Sequence, residues 1–203
     1  MESRVIAELI LHLGRIVAWD SSAGELSSVQ WAALRYLAYA NRFSRTPSAF
    51  AAFHGTTRGT ASQTIKALVA RGYLKQTRST DDGRSVKLDL TGKAKAIIAD
   101  DPMETLVRAV DDLPPGIRTD FGDVLQRTLG SVTTEAGTPQ FGTCRNCRHL
   151  HGAGCCGETP ACYECGFLSE PLSEAELDAL CIRFATARKP PRDAGRRTGL
   201  GDD

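Results

Sequence analysis

Between Thr56 and Lys95 the spacing of apolar residues changes twice, and no single regular element can carry that change. In TTRGTASQTIKALVARG, the apolar Ile65, Leu68 and Val69 recur at helical spacing, with Arg58, Ser62, Gln63 and Lys66 on other sides. YLKQTRST and SVKLDL then alternate as strands do, about a DDG turn signal. Thr91 caps a further helix, TGKAKAIIADD, which Pro102 ends or kinks. The pattern is a polar-faced helix, then a two-stranded hairpin, then another helix.

Upstream, Val5, Ile6, Leu9, Ile10, Leu13, Ile16 and Val17 form a helical stripe that Ser21, Ser22 and Gly24 break. LSSVQWAALRYLAYAN restarts a helix, with Ser27 or Ser28 able to cap it and Trp31, Leu34 and Leu37 inward. Thr46-Pro47 opens a short helix, PSAFAAFHG, which Gly55 ends. Two helices joined by a tight glycine-containing turn make a helix-turn-helix, whose second helix can present polar side chains to a major groove. Downstream, Leu106, Val107 and Val110, then Ile117, Phe121, Val124, Leu125 and Leu129, give two more amphipathic helices. These faces and the first helix need cover, and a dimer core would supply it.

At 203 residues, 41% hydrophobic and 24% charged, the chain suits one globular domain with an appendage. Its first residues lack the form of a signal peptide and no run reaches membrane-spanning length, so a cytoplasmic, reducing compartment is expected, with no membrane partner. Net charge is only +1, but from Arg58 to Lys95 nine Lys or Arg face three Asp. Such a basic stretch beside a polar helix is an electrostatic footprint for phosphate. No metalloprotease motif, phosphate loop or activated nucleophile is present in the sequence, and an enzyme is not expected.

The runs QWAALRYL, TASQTIKALVARGYLKQ and RSTDDGRSVKLDLTGKAK resemble the MarR family of winged helix-turn-helix repressors over roughly residues 3 to 130. The resemblance implies a mainly α fold with a small β-hairpin wing (α+β), dimerised through its N- and C-terminal helices, on double-stranded DNA at a palindromic operator. It places Ser62, Gln63 and Lys66 at bases or backbone, and Thr57, Arg58 and Thr60 beside phosphate at the helix start. Arg84 would enter the minor groove at the wing tip, with Asp82 holding it. Gln pairs with adenine and Arg or Lys with guanine, while an Arg in a narrow minor groove reads shape. The resemblance also implies a phenolic or acyl small-molecule effector, which no residue identifies; Trp19, Trp31 and Tyr36 read as core.

Six of the seven cysteines crowd into CRNCRHLHGAGCCGETPACYECGF, outside the usual family extent. An odd count in a reducing compartment argues against a disulfide framework. Cys144-x2-Cys147-x14-Cys162-x2-Cys165 is close to a four-thiolate zinc arrangement. A second set, Cys144, Cys147, Cys165 and Cys181, with Cys162, Cys155 and Cys156 as alternatives, suits an iron-sulfur cluster. A metal-free thiol switch at Cys155-Cys156 is the third reading. His149 and His151 are able to replace a thiolate, or are bystanders. LSEPLSEAELDALCIRF reads as a capped helix on which Cys181 is ligand or apolar filling, and Lys189 onward as tail.

The expected organisation is a DNA-binding and dimerisation domain over 1–132, a linker over 133–142, a cysteine-rich module over 143–186 and a disordered tail over 187–203. The expected function is a transcriptional regulator, by resemblance a repressor, whose module senses metal or redox state by shifting the dimer helices. The alternative is a zinc-stabilised module that docks another protein.

Overall fold

A computed structural model describes residues 1–20, 25–78, 86–152 and 163–186. The wing tip with Asp82 and Arg84, the loop with Cys155, Cys156 and Cys162, and the expected tail lie outside these residues.

Seven α-helices are described: α1 (Ser3–Asp20), α2 (Ser28–Tyr39), α3 (Pro47–Phe53), α4 (Arg58–Ala70), α5 (Gly92–Ile98), α6 (Glu104–Asp111) and α7 (Pro115–Glu135). Their starts follow the local chemistry. Ser27 and Gln30 form a capping box on α2, and the Thr46, Thr57 and Thr91 side chains cap α3, α4 and α5. Gly55 closes the turn after α3 with φ 63°, a left-handed conformation that glycine adopts without steric cost. Strands β1 (Leu74–Arg78) and β2 (Val86–Leu90) pair antiparallel, Leu74 opposite Leu90 and Arg78 opposite Val86.

The main core lies between α2, α3, α4, α5 and this hairpin, and contains Trp31, Leu34, Tyr36, Leu37, Phe50, Ile65, Leu68, Tyr73 and Leu88. Trp31 and Tyr36 are core, as their spacing suggests. Helices α1, α6 and α7 are different, for none has a buried side chain among the described residues. Val5, Ile6, Leu9, Ile10, Leu13 and Ile16 on α1 are 42–53% exposed, and Ile117, Phe121, Val124, Leu125 and Leu129 on α7 are 42–58% exposed.

The C-terminal region departs from expectation. Helix α7 runs to Glu135, into the expected linker, and Phe141 at the linker's end is buried in the main core. The segment is an anchored connection, held also by the Gln126 side chain donating to the Phe141 carbonyl at 2.9 Å. Strands β3 (Gly142–Thr143) and β7 (Leu180–Cys181) then pair, as do β4 (Leu150–Gly152), β5 (Tyr163–Cys165) and β6 (Glu170–Leu172) in a three-stranded antiparallel sheet. The expected helix around Cys181 stops after one 3-10 turn at Glu174–Glu176, although its Ser173/Glu176 capping box forms. Pairing of Cys181 with Gly142 and Leu180 with Thr143 takes the backbone that the helix would have used. Gly142 is required there, since the Phe184 ring lies 2.7 Å from where a Cβ would stand.

One buried ion pair ties α2 to the α5–α6 joint. The Arg35 guanidinium grips Asp101, which is 7% exposed and also accepts the Met103 amide at 2.8 Å. Removing the acid would take the carboxylate partner from the Arg35 guanidinium in a nearly dry site. Asp101→Ala is expected to cost about 3 kcal/mol, read as a lower urea midpoint with unchanged slope.

Candidate nucleic-acid interface and cysteine cluster

Helix α4 buries Ala61, Thr64, Ile65 and Leu68 and turns Gly59, Thr60, Gln63 and Lys66 outward. Thr57, Arg58 and Thr60 are exposed at its start, and Ser62 is half-buried on the flank. The Thr57 hydroxyl is already committed, accepting the Thr60 amide at 3.1 Å and sharing a hydrogen bond with the Thr60 hydroxyl at 2.9 Å. Thr57 thus shapes the helix start, and Arg58, Gln63 and Lys66 are the long polar side chains left to face a ligand. The hairpin base stands beside them, with Lys75 and Lys87 exposed.

Residues 40–46, between α2 and α3, hold the hairpin on one side and the cysteine module on the other. The Arg45 carbonyl accepts the Leu88 amide of β2 at 2.8 Å, while Asn41 N–H donates to the Leu180 carbonyl of β7 at 2.8 Å. The Ser44 hydroxyl accepts the Ile182 amide at 3.0 Å. Arg42 donates to the Pro171 carbonyl at 2.7 Å and pairs with Glu176. Phe43 packs against the second core, made of Cys144, Leu172 and Leu177. None of these joining residues stood out in the sequence, because docking onto a distant segment leaves no local pattern.

Four cysteines meet at this junction. Pairing of β3 with β7 sets Cys144 near Cys181, and pairing of Leu150 with Cys165 brings the end of β5 beside the Cys144–Cys147 turn. Cys144 and Cys181 are buried, Cys147 and Cys165 half-buried, all four as free thiols. Together with His149, Leu150, Leu172 and Arg183 they line one small cavity. Among the described residues, no three His, Cys, Asp or Glu side chains stand close enough to hold an ion as they are arranged. Cys162 lies outside the described residues, while Tyr163–Cys165 is strand and a turn follows Cys165. Its left-handed residue is Ser169, φ 53°, whose amide donates to the Cys165 carbonyl at 2.7 Å. His151 packs against Gly166 and is absent from the cavity lining.

Burial, with the neighbouring Cys181 and Cys147 thiols, pushes the Cys144 thiol up to about 11 against a hydrogen bond from Asn41. Asn41 is only 2% exposed, and neither its side-chain nitrogen nor its oxygen has an ordinary hydrogen-bond partner. Its backbone N–H holds the Leu180 carbonyl, next to Cys181 in β7, so the amide lies beside the cysteine group and acts on the Cys144 thiol.

A separate cleft of about 590 Å³ lies between α2, β2 and α5, lined by Ala38, Arg45, Asp89, Leu90, Lys95, Ile98 and Ala99. None of its lining residues is aromatic. No described helix is long and apolar enough to cross a membrane.

The fold is a winged helix-turn-helix of the MarR type. Residues 25–85 match the sequence model of the MarR family. A MarR/EmrR family transcriptional regulator from Acinetobacter sp. ADP1 is 16% identical, with a TM-score of 0.52 over 64% of this chain and 96% of that one. A MarR transcriptional regulator from Methanosarcina mazei Go1 is 19% identical, with a TM-score of 0.50 over 65% of this chain and 99% of that one. CouR from Rhodococcus jostii RHA1, bound to p-coumaroyl-CoA, is 17% identical, with a TM-score of 0.50 over 60% and 89%. No curated protein matches the sequence. The solved chains are thus matched almost end to end, and a substantial part of this chain has no counterpart in them.

Docking of the cysteine module depends on pH through Glu176. Burial opposes its ionisation, but hydrogen bonds from the Ser173 amide and hydroxyl, and the Arg42 guanidinium, outweigh that and hold it below the ordinary 4.5. A depressed carboxylate stabilises above its unfolded pKa and loses that contribution as pH falls through the folded value. Stability is therefore expected to drop below about pH 4.5. Glu176→Gln should flatten that part of the profile in urea unfolding.

Proposed function

We propose that the chain is a sequence-specific DNA-binding transcriptional regulator acting as a homodimer. The observation that carries this reading is the exposed polar row Arg58, Gln63 and Lys66 on α4, backed by a buried apolar row and set beside a basic hairpin. In this reading α4 enters the major groove, its start meets phosphate, and Arg84 at the wing tip, held by Asp82, reaches the minor groove. Two copies, joined through α1 and α7, present two such helices to a palindromic operator. The half-exposed apolar side chains on those helices support the dimer, each contributing on the order of 1 kcal/mol when its remaining surface is buried. Repression is the expected sense of regulation. An acyl or phenolic acid is a suitable effector for the cleft beside Arg45 and Lys95, where it would meet Lys95 and compete with Asp89 for Arg45. The cysteine module holds zinc or an iron-sulfur cluster and senses metal or redox state; the alternative role, docking another protein, shares the same site.

Selection from random duplex DNA should yield a palindromic site. On that site Gln63→Ala is expected to cost about 1–3 kcal/mol of discrimination at one base position, and Lys66→Ala to weaken all sequences alike and reduce the salt slope by about 1. Unchanged affinity in both variants contradicts the placement of α4.

The dimer has its own measurement. Leu125→Asp and Leu9→Asp are expected to sediment as monomers at concentrations where the parent is dimeric. A monomeric parent, or two dimeric variants, would remove α1 and α7 from the interface.

A further inference from the structure

The strongest unexplained feature is the buried Asn41 side chain, which has no nitrogen or oxygen partner and lies beside a set of thiols. Leaving a buried amide unpaired costs roughly 1–3 kcal/mol, and such a group calls for an unseen partner. The Asn41 side chain, fixed beside β7 by its own backbone bond to Leu180, is a donor available to a metal-bound sulfur of the cysteine group, where an N–H bond is charge-assisted. A bound cation is what makes a buried thiol give up its proton.

The surroundings repeat this preference. The Arg183 amide donates to the Cys181 sulfur at 3.3 Å, and Arg183 lines the cavity. Four thiolates around a divalent ion carry a net charge of about −2, which a neighbouring guanidinium offsets. The cavity measures about 10 Å³. Four thiolates brought from separate turns and strands around one small space are the donor set of a single tetrahedral zinc ion.

We propose that Cys144, Cys147, Cys165 and Cys181 bind one zinc ion as four thiolates, with Asn41 as the positioning residue that hydrogen-bonds the Cys144 sulfur and ties the site to the α2–α3 connection. The proposal deepens the reading of the module as a metal site and selects one of its ligand sets. Binding releases the thiol protons to solvent, and the sulfurs turn inward about their Cα–Cβ bonds to close on the ion. Cys162, Cys155 and Cys156 stand outside the set. Because residues 40–46 also carry β2, filling the site stiffens the segment on which the wing stands.

The experiment is metal analysis of the full chain purified without oxygen, with cobalt substitution to read the sulfur count from the charge-transfer and ligand-field bands. One zinc per chain, a colourless protein and a four-sulfur cobalt spectrum are expected. Cys162→Ser should keep metal and spectrum. Cys181→Ser should lose the four-sulfur spectrum. Asn41→Ala, which keeps all four thiols, should weaken zinc about 10–100-fold against a chelator of known affinity. Iron with sulfide, no metal, a Cys162→Ser protein without metal, or an unaltered Cys181→Ser or Asn41→Ala protein each overturns the assignment. DNA affinity, read separately on the selected site, distinguishes failure of this centre from failure of the DNA-binding reading.

Discussion

Tyr36 is the side chain on which the rest of the described structure leans. Its ring meets Phe50 at 5.9 Å, Phe53 at 4.8 Å and Phe141 at 6.1 Å, and its hydroxyl donates to the Ser44 carbonyl at 2.7 Å. One residue of α2 thereby joins the helix before α4, the α2–α3 connection and the chain leading out of α7. Burial, the nearby Cys181 thiol and loss of water hold the phenol protonated well beyond its ordinary range, so it is a neutral hydrogen-bond donor across working pH. A ring that packs on three sides and spends its one polar group locally allows little sliding between these parts.

That geometry favours a different route for the regulation we propose. A signal passing through the dimer helices would have to cross α1 and α7, which bury no side chains among the described residues. The chain on either side of Cys181 instead bonds the winged helix directly, Leu180 to Asn41 and Ile182 to Ser44, with Arg45 and β2 immediately beyond. Coupling needs an element with two arrangements that both sites bias. The α2–α3 connection is the segment with contacts to both.

Most of the helices were legible because each has its own period and its own cap: Ile65 and Leu68 mark the inner face of α4, and Thr46, Thr57 and Thr91 cap where their sequence suggested. The hairpin was legible from alternation, and its register follows from the buried Leu74 and Leu88. The C-terminal region resisted for a physical reason. Its strands are two or three residues long, too short to show a period, and are fixed by partners far away in sequence. Leu177 and Phe184 fit a helical face equally well, yet Leu177 is buried at the end of one 3-10 turn and Phe184 covers Gly142 across a strand pair. The cysteine spacing suggested a pair of turns, but β5 is extended up to Cys165. Asn41 carries no motif at all, and only burial reveals it.

Phe141 has a consequence for where this chain can be divided. A module merely tethered to the winged helix would leave that core closed without it. Here an aromatic ring from the joining segment packs against Phe53 at 5.0 Å and completes the contact around Tyr36. Cutting the chain before Phe141 would open the winged-helix core to water, so the cysteine-bearing region cannot be removed at this joint without a penalty in the other part. For a separately expressed piece, the natural boundary lies after Phe141 and not before it.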